Sequence, residues 1–126
     1  MVELEPGGDP LPSTPERPFT KIITLCGSIR FENEFRVANS ELTLRGWIVL
    51  APGCFNHALL HEPKYNAELN KEGLDSLHVA KMEMSEAIFV VDVLGYTGES
   101  TNREISWAYD HAKTVFKWSK GDLWKL

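Results

Sequence analysis

The chain has 126 residues and a mass of 14.3 kDa, enough for one compact domain and too short for two ordinary ones. Its 43% hydrophobic and 25% charged content is that of an average globular protein and excludes a disordered, collagen-like or disulfide-scaffold chain. Thirteen basic against eighteen acidic residues leave a net charge of −5, with no Lys/Arg cluster, which argues against a duplex nucleic-acid partner.

Residues 1–18 hold five of the seven prolines and the Gly7-Gly8 pair. Such a stretch cannot form a helix and has little to bury, so it reads as a flexible leader to a single domain over 19–126. It has neither the basic region nor the apolar core of a signal peptide. No apolar run approaches the about 20 residues of a membrane span; none is longer than Ala87–Val91, which is followed by Asp92. A cytoplasmic protein with no membrane partner is the expectation. Cys26 and Cys54 lie in or beside apolar segments and read as buried thiols of a reducing compartment, a bridge between them being the other reading.

The domain then alternates. Lys21–Cys26 is a β-branched apolar run closed by Gly27-Ser28, the pattern of a buried strand and a turn. Phe31, Phe35, Ala38 and Leu42 follow at helical spacing, up to Gly46. Trp47–Leu50 is a second strand. Pro52 to Gly73 is polar and irregular. Leu74, Leu77, Ala80 and Met84 restore a helical stripe, Ile88–Val91 forms a third strand, Ser100–Ala112 a helix, and Thr114–Trp118 a fourth strand. Short, almost wholly apolar strands separated by helices predict an α/β fold. Its form is a small doubly wound parallel sheet of four to five strands with helices on both faces. Ligands in such a fold lie beyond the carboxyl ends of the strands. The polar residues after each strand are therefore the candidates.

Gly27-Ser28-Ile29-Arg30 follows the first strand. Glycine permits close backbone approach, a helix start offers N–H groups to an anion, and Arg30 is a fixed cation suited to phosphate. The same four residues also describe a tight turn with a serine cap. It is not a Walker A loop, since the lysine and second glycine are missing. Thr101 and Glu104 have the T-x-x-E spacing of a capping box. The other reading of Glu104 is an ionised carboxylate favoured by the first turn of its helix, facing the rim of the sheet. Asp75 and Asp92 are candidate second carboxylates, each with a plain alternative as a helix-start charge or a turn former. Two carboxylates of different role are what glycosyl transfer requires. Cys54, His57 and His61 give C-x2-H-x3-H, which lacks a fourth zinc ligand at standard spacing; no metal or other cofactor is expected. Tyr65, Phe55 and Tyr96 are rings on which a nucleobase could stack. His111 and Lys113 read as favourable charge at a helix C-terminus.

The order strand–GSIR–helix, GLDSLHVAKMEMSEAIFVVD and GESTNREISWAYDHAKTV resembles the nucleoside 2-deoxyribosyltransferase-like superfamily, which includes the 2′-deoxynucleoside 5′-phosphate N-hydrolases. The resemblance runs from about Ile22 to Val115 and rests on order and spacing together. It implies a flavodoxin-like sheet, cleavage of the N-glycosidic bond of a (deoxy)nucleoside or its 5′-monophosphate, and assembly into a homodimer or higher homo-oligomer. The family's glutamate nucleophile, followed by E-(I/L)-x-x-A, matches Glu104 in Glu104–Ala108, and its acidic residue matches Asp75. The phosphate-side motif matches Gly27, Ser28, Ile29 and Arg30, and Ser100 falls near a serine that helps hold a phosphate or hydroxyl. The run Asp-Ser-Gly-Thr of the transferases is here Gly98-Glu99-Ser100-Thr101, Phe31 and Glu32 follow the GSIR in place of glycines, and Pro52–Gly73 has no match. The expected enzyme attacks the anomeric carbon with Glu104 and protonates the departing base through Asp75. Gly27, Ser28, Ile29, Arg30, Phe31, Tyr65, Asp92 and Ser100 hold the substrate. The alternative is a nucleotide-binding sensor of the same fold without turnover.

Overall fold

The computed structural model describes residues 8–13, 21–53 and 71–126. Most of the expected leader, and the stretch carrying Cys54, Phe55, His57, His61 and Tyr65, lie outside the described residues. Residues 8–13 form no helix or strand and are exposed.

Among the described residues the fold is α/β. A parallel sheet is built from β1 (Lys21–Gly27), β2 (Trp47–Leu50), β3 (Ala87–Val91) and β4 (Thr114–Lys117), in the order β2-β1-β3-β4. The helices are α1 (Glu32–Leu44), α2 (Lys71–Met84) and α3 (Glu99–Asp110). Parallel neighbours cannot be joined by a tight hairpin, so each connection crosses over through a helix. The register pairs Ile23 with Ile48's neighbour Val49 on one side and with Ala87 on the other. β3 pairs with β4 from Ala87–Thr114 to Val90–Lys117. From β1 the chain runs outward to β2 and then returns to pair on the opposite side of β1. Strand order therefore reverses between the carboxyl ends of β1 and β3.

Alternation along the strands separates two apolar clusters. Ile23, Leu25, Ala87, Phe89 and Val91 pack against Phe35, Ala38 and Leu42 of α1 and against Leu123. Cys26, Ile88 and Val90 pack against Met82 of α2 and Ala108 of α3, with Val79 and Ile105 at the margin. All five residues of β3 are buried, as its uninterrupted apolar sequence requires for a central strand. A fully buried side chain such as Phe89 contributes about 1.5–3 kcal/mol.

The apolar stripe expected on α2 is not the face that packs. Leu77 is 53% and Met84 61% exposed, while Val79, Met82 and Ser85 turn toward the sheet. The physical reason lies in β1, whose face toward α2 carries a hydroxyl and a thiol. Buried Thr24 meets buried Ser85 at 2.6 Å, and Ser85 donates to the Lys81 carbonyl at 2.9 Å. With its one proton committed to that carbonyl, Ser85 accepts from Thr24, and both hydroxyls are satisfied.

Beyond β4 the chain makes two short 3-10 turns, Trp118–Lys120 and Asp122–Trp124. Asp122 accepts from the Lys117 N–H at 2.8 Å, and Arg45 donates to the Leu126 carbonyl. These contacts seat Leu123 against the α1-side cluster. No helix of the described residues is long and apolar enough to cross a membrane.

Candidate functional site

Glycine is required at position 27 by the fold itself. Its φ is +147°, and a Cβ there would stand 2.8 Å from the Val91 carbonyl oxygen and 3.2 Å from Phe35 Cζ. β1 and β3 can thus close side by side at their carboxyl ends, where Gly27 pairs with Val91. The close approach expected of this glycine is to the neighbouring strand.

Directly after it, Ser28 caps the turn Ile29–Phe31. Its hydroxyl accepts from the Arg30 backbone N–H at 3.3 Å and from Arg30 Nε at 3.2 Å. The guanidinium lies 4.2 Å from the ring centroid of Tyr96, and Phe31 meets the same ring edge-on at 5.9 Å. Tyr96 comes from the loop after β3, next to a turn in which Leu94 holds φ 55° with its side chain fully exposed. Ser28, Arg30, Phe31 and Tyr96 therefore form one cation–aromatic group spanning the ends of β1 and β3. Its exposed guanidinium suits an anion and its ring a flat apolar group.

A second group lies on the α2/α3 side of the same strand end. Cys26 is wholly buried, with Sγ 3.4 Å from His78 Nε2 and 3.7 Å from Met82 Sδ. His78 Nε2 is in turn 3.6 Å from Glu104 Oε2, the two side chains being 12% and 19% exposed. Burial pushes the Cys26 thiol well up, and the Glu104 carboxylate adds to that by charge and by hydrogen bonding. The thiol is therefore kept protonated. Burial, and then the Lys81 ammonium, lower His78 to about 4, against the opposite pull of Asp75. The imidazole is neutral at neutral pH, so its approach to Glu104 is that of a neutral ring to a carboxylate. Lys81 itself donates to the Ala51 carbonyl at 2.7 Å, tying α2 to the end of β2.

The local structure around Glu104 departs from the capping-box spacing. α3 begins at Glu99 with Gly98 as its N-cap and no side-chain cap, and the Asn102 N–H donates to the Gly98 carbonyl at 3.0 Å. Thr101 is buried inside the first turn, and Glu104 belongs to the second. The field of a helix end fades within its first turn, so it does not govern the charge of Glu104. Asp75 likewise falls in the second turn of α2. It is exposed, three residues before His78, and these positions share a helix face.

Other candidates take different places. Buried Asp92 accepts from the Ser119 N–H at 2.8 Å and from the Ser119 hydroxyl at 2.6 Å, fastening the end of β3 to the C-terminal turns. Ser100 accepts from Arg103 at 3.3 Å. His111 stacks on Trp107 with centroids 4.0 Å apart and donates from Nδ1 to the Trp107 carbonyl at 2.7 Å. Lys113 donates to the Glu83 carbonyl. His111 thus caps the end of its own helix, whereas Lys113 caps the last turn of α2 instead.

The structure thus gathers Ser28, Arg30 and Phe31 into one group and sets Glu104 and Asp75 around His78. Cys26, His78 and Lys81 are the site residues that sequence reasoning passed over. The Asp75–His78 spacing on one helix face and the place of Cys26 beside Gly27 were the available signals. Comparison of the chain with protein-family models, with curated proteins and with solved structures gave no match.

Proposed function

We propose that the protein cleaves the N-glycosidic bond of a (deoxy)nucleoside or its 5′-monophosphate by a retaining mechanism, on a flavodoxin-like, doubly wound frame with helices on both faces. The observation that carries this reading is the meeting of the Asp75–His78 face of α2 with Glu104 of α3 beside the end of β1. The reversal of strand order falls at that end, where such folds bind ligands.

In this reading Glu104 attacks the anomeric carbon on the face opposite the base, and the C–N bond breaks as a glycosyl ester forms. Asp75, or a water it holds, gives a proton to the leaving nitrogen. Water then opens the ester in a hydrolase, and a second base opens it in a transferase. The carboxylate also stabilises the positive charge that develops on the sugar ring. Neutral His78 holds no charge that would compete with the sugar for Glu104. Arg30, Ser28 and the backbone of Gly27 and Ile29 receive a 5′-phosphate, and Phe31 with Tyr96 forms the wall against which the base lies. Tyr65 and Ser100 remain part of the proposed substrate surface. A dimer or larger assembly belongs to the same proposal, supported by the exposed Leu77 and Met84 on one helix.

The test is release of free base from a panel of nucleosides and 5′-monophosphates, followed by chromatography. Glu104→Gln lowers turnover by about a thousandfold or more while leaving the fold intact; undiminished turnover refutes the assignment. The cation–aromatic group of Arg30 and Tyr96 also favours a second reading, a nucleotide sensor. Saturable binding with no base released over long incubation establishes that reading instead.

A further inference from the structure

We propose that Cys26, His78 and Glu104 form a binding site for one divalent ion of the zinc class. Three donor atoms of three kinds, one each from β1, α2 and α3, all lie within 4.8 Å of one another. Two of the three separations match the edges of a common tetrahedral site, and the third is bounded by the same 4.8 Å. With Zn–S about 2.3 Å and Zn–N and Zn–O about 2.05 Å, tetrahedral edges come to about 3.6 Å for S–N and about 3.4 Å for N–O. The observed edges are 3.4 Å for Cys26 Sγ–His78 Nε2 and 3.6 Å for His78 Nε2–Glu104 Oε2.

His78 Nε2 can hold at most one proton, and its 3.6 Å separation from Glu104 Oε2 exceeds hydrogen-bond range. A metal ion is the partner that accepts a sulfur, a nitrogen and an oxygen at once, and this mixed soft and borderline donor set selects zinc over magnesium or calcium. Cys26 closes the back of the site, whereas His78 and Glu104 are partly exposed and leave a route for entry. Three protein ligands leave a fourth position for water.

Binding draws Glu104 into the coordination sphere, so an ion here holds the carboxylate away from a sugar and silences it. That regulatory consequence rests on the glycosidase reading; the binding itself does not.

The experiment is titration of chelator-stripped full-length protein with Co2+, followed by displacement with Zn2+. One equivalent of Co2+ binds and gives the thiolate-to-metal absorption band, which Zn2+ abolishes. Cys26→Ser removes the band. His78→Ala keeps the band but weakens Co2+ binding by at least about tenfold, which keeps the test readable if the buried Cys26→Ser variant fails to fold by circular dichroism. Absence of stoichiometric binding overturns the site, as does Co2+ binding that His78→Ala leaves unchanged. A band that survives in folded Cys26→Ser assigns the thiolate to Cys54 and overturns it equally. These readouts need no base release, so they stand or fall apart from the catalytic reading. If base release is observed, Zn2+ at saturation suppresses it, and undiminished release overturns the silencing.

Discussion

His78 Nε2 lies 3.6 Å from Glu104 Oε2, a contact that joins α2 to α3 and sets a neutral ring against a carboxylate above the buried Cys26 thiol. The ring stays neutral because burial and Lys81 disfavour its charged form, and this has a measurable consequence. In the unfolded chain His78 titrates near about 6.5, and in the fold at about 4. Between those values the unfolded chain takes up a proton that the folded one refuses. The stability associated with the neutral ring is complete above about pH 6.5 and is lost as pH falls toward about 4, by roughly 2–3 kcal/mol. Denaturant titrations of wild type and His78→Gln across that window should diverge, the wild type falling more steeply with acid. Parallel curves contradict the assignment.

At the end of β1, Gly27→Ala places a methyl group 2.8 Å from the Val91 carbonyl at a φ of +147°. Strain and crowding together cost about 2–4 kcal/mol. Chemical denaturation measures this directly, and a change below about 0.5 kcal/mol contradicts the close approach of the two strands.

Asp92 fastens β3 to the C-terminal turns through both Ser119 donors. Asp92→Ala removes the buried carboxylate that accepts both Ser119 hydrogen bonds and costs about 2–4 kcal/mol. Ser119→Ala, which retains the N–H contact, costs only about 1 kcal/mol. Equal losses in the two variants contradict this division.

In the proposed function Arg30, held on Tyr96 and Ser28, is the cation that receives a 5′-phosphate. Arg30→Gln should raise KM for a nucleoside 5′-monophosphate by about tenfold or more and leave KM for the nucleoside within about twofold. Equal effects on both substrates place the phosphate elsewhere.

The strands were legible because each is a short β-branched or apolar run, wholly buried in central β3 and partly exposed in the edge strands β2 and β4. Trp47–Leu50 is found with the bounds its sequence implies. The packing face of α2 was not legible. A count of apolar positions favours Leu77 and Met84, but β1 presents Thr24 and Cys26 there, and polar Ser85 and His78 match them better. Knowing that requires the pairing of segments distant in sequence. The helix start lies one residue from the expected Ser100, but the capping box suggested by the T-x-x-E spacing of Thr101 and Glu104 does not form. A backbone glycine, Gly98, begins α3 without any side-chain signature. The C-terminal turns depend on Asp92 holding Ser119, and no local pattern announces a tie across 27 residues. Of the candidate site, the Gly27–Arg30 turn and the two carboxylates could be read along the chain. The group of Cys26, His78 and Glu104 could not, since three separate elements supply one residue each.

The most direct measurement is to trap the glycosyl ester. A nucleoside carrying fluorine at C2′ destabilises the oxocarbenium-like state and slows opening of the ester. Tryptic cleavage after Arg103 yields the peptide Glu104–Lys113, which tandem mass spectrometry can localise residue by residue. The predicted result is one glycosyl adduct on Glu104, absent from Glu104→Gln. An adduct on any other residue, or base released from the natural nucleoside by Glu104→Gln at the wild-type rate, contradicts the assignment of Glu104 as the nucleophile.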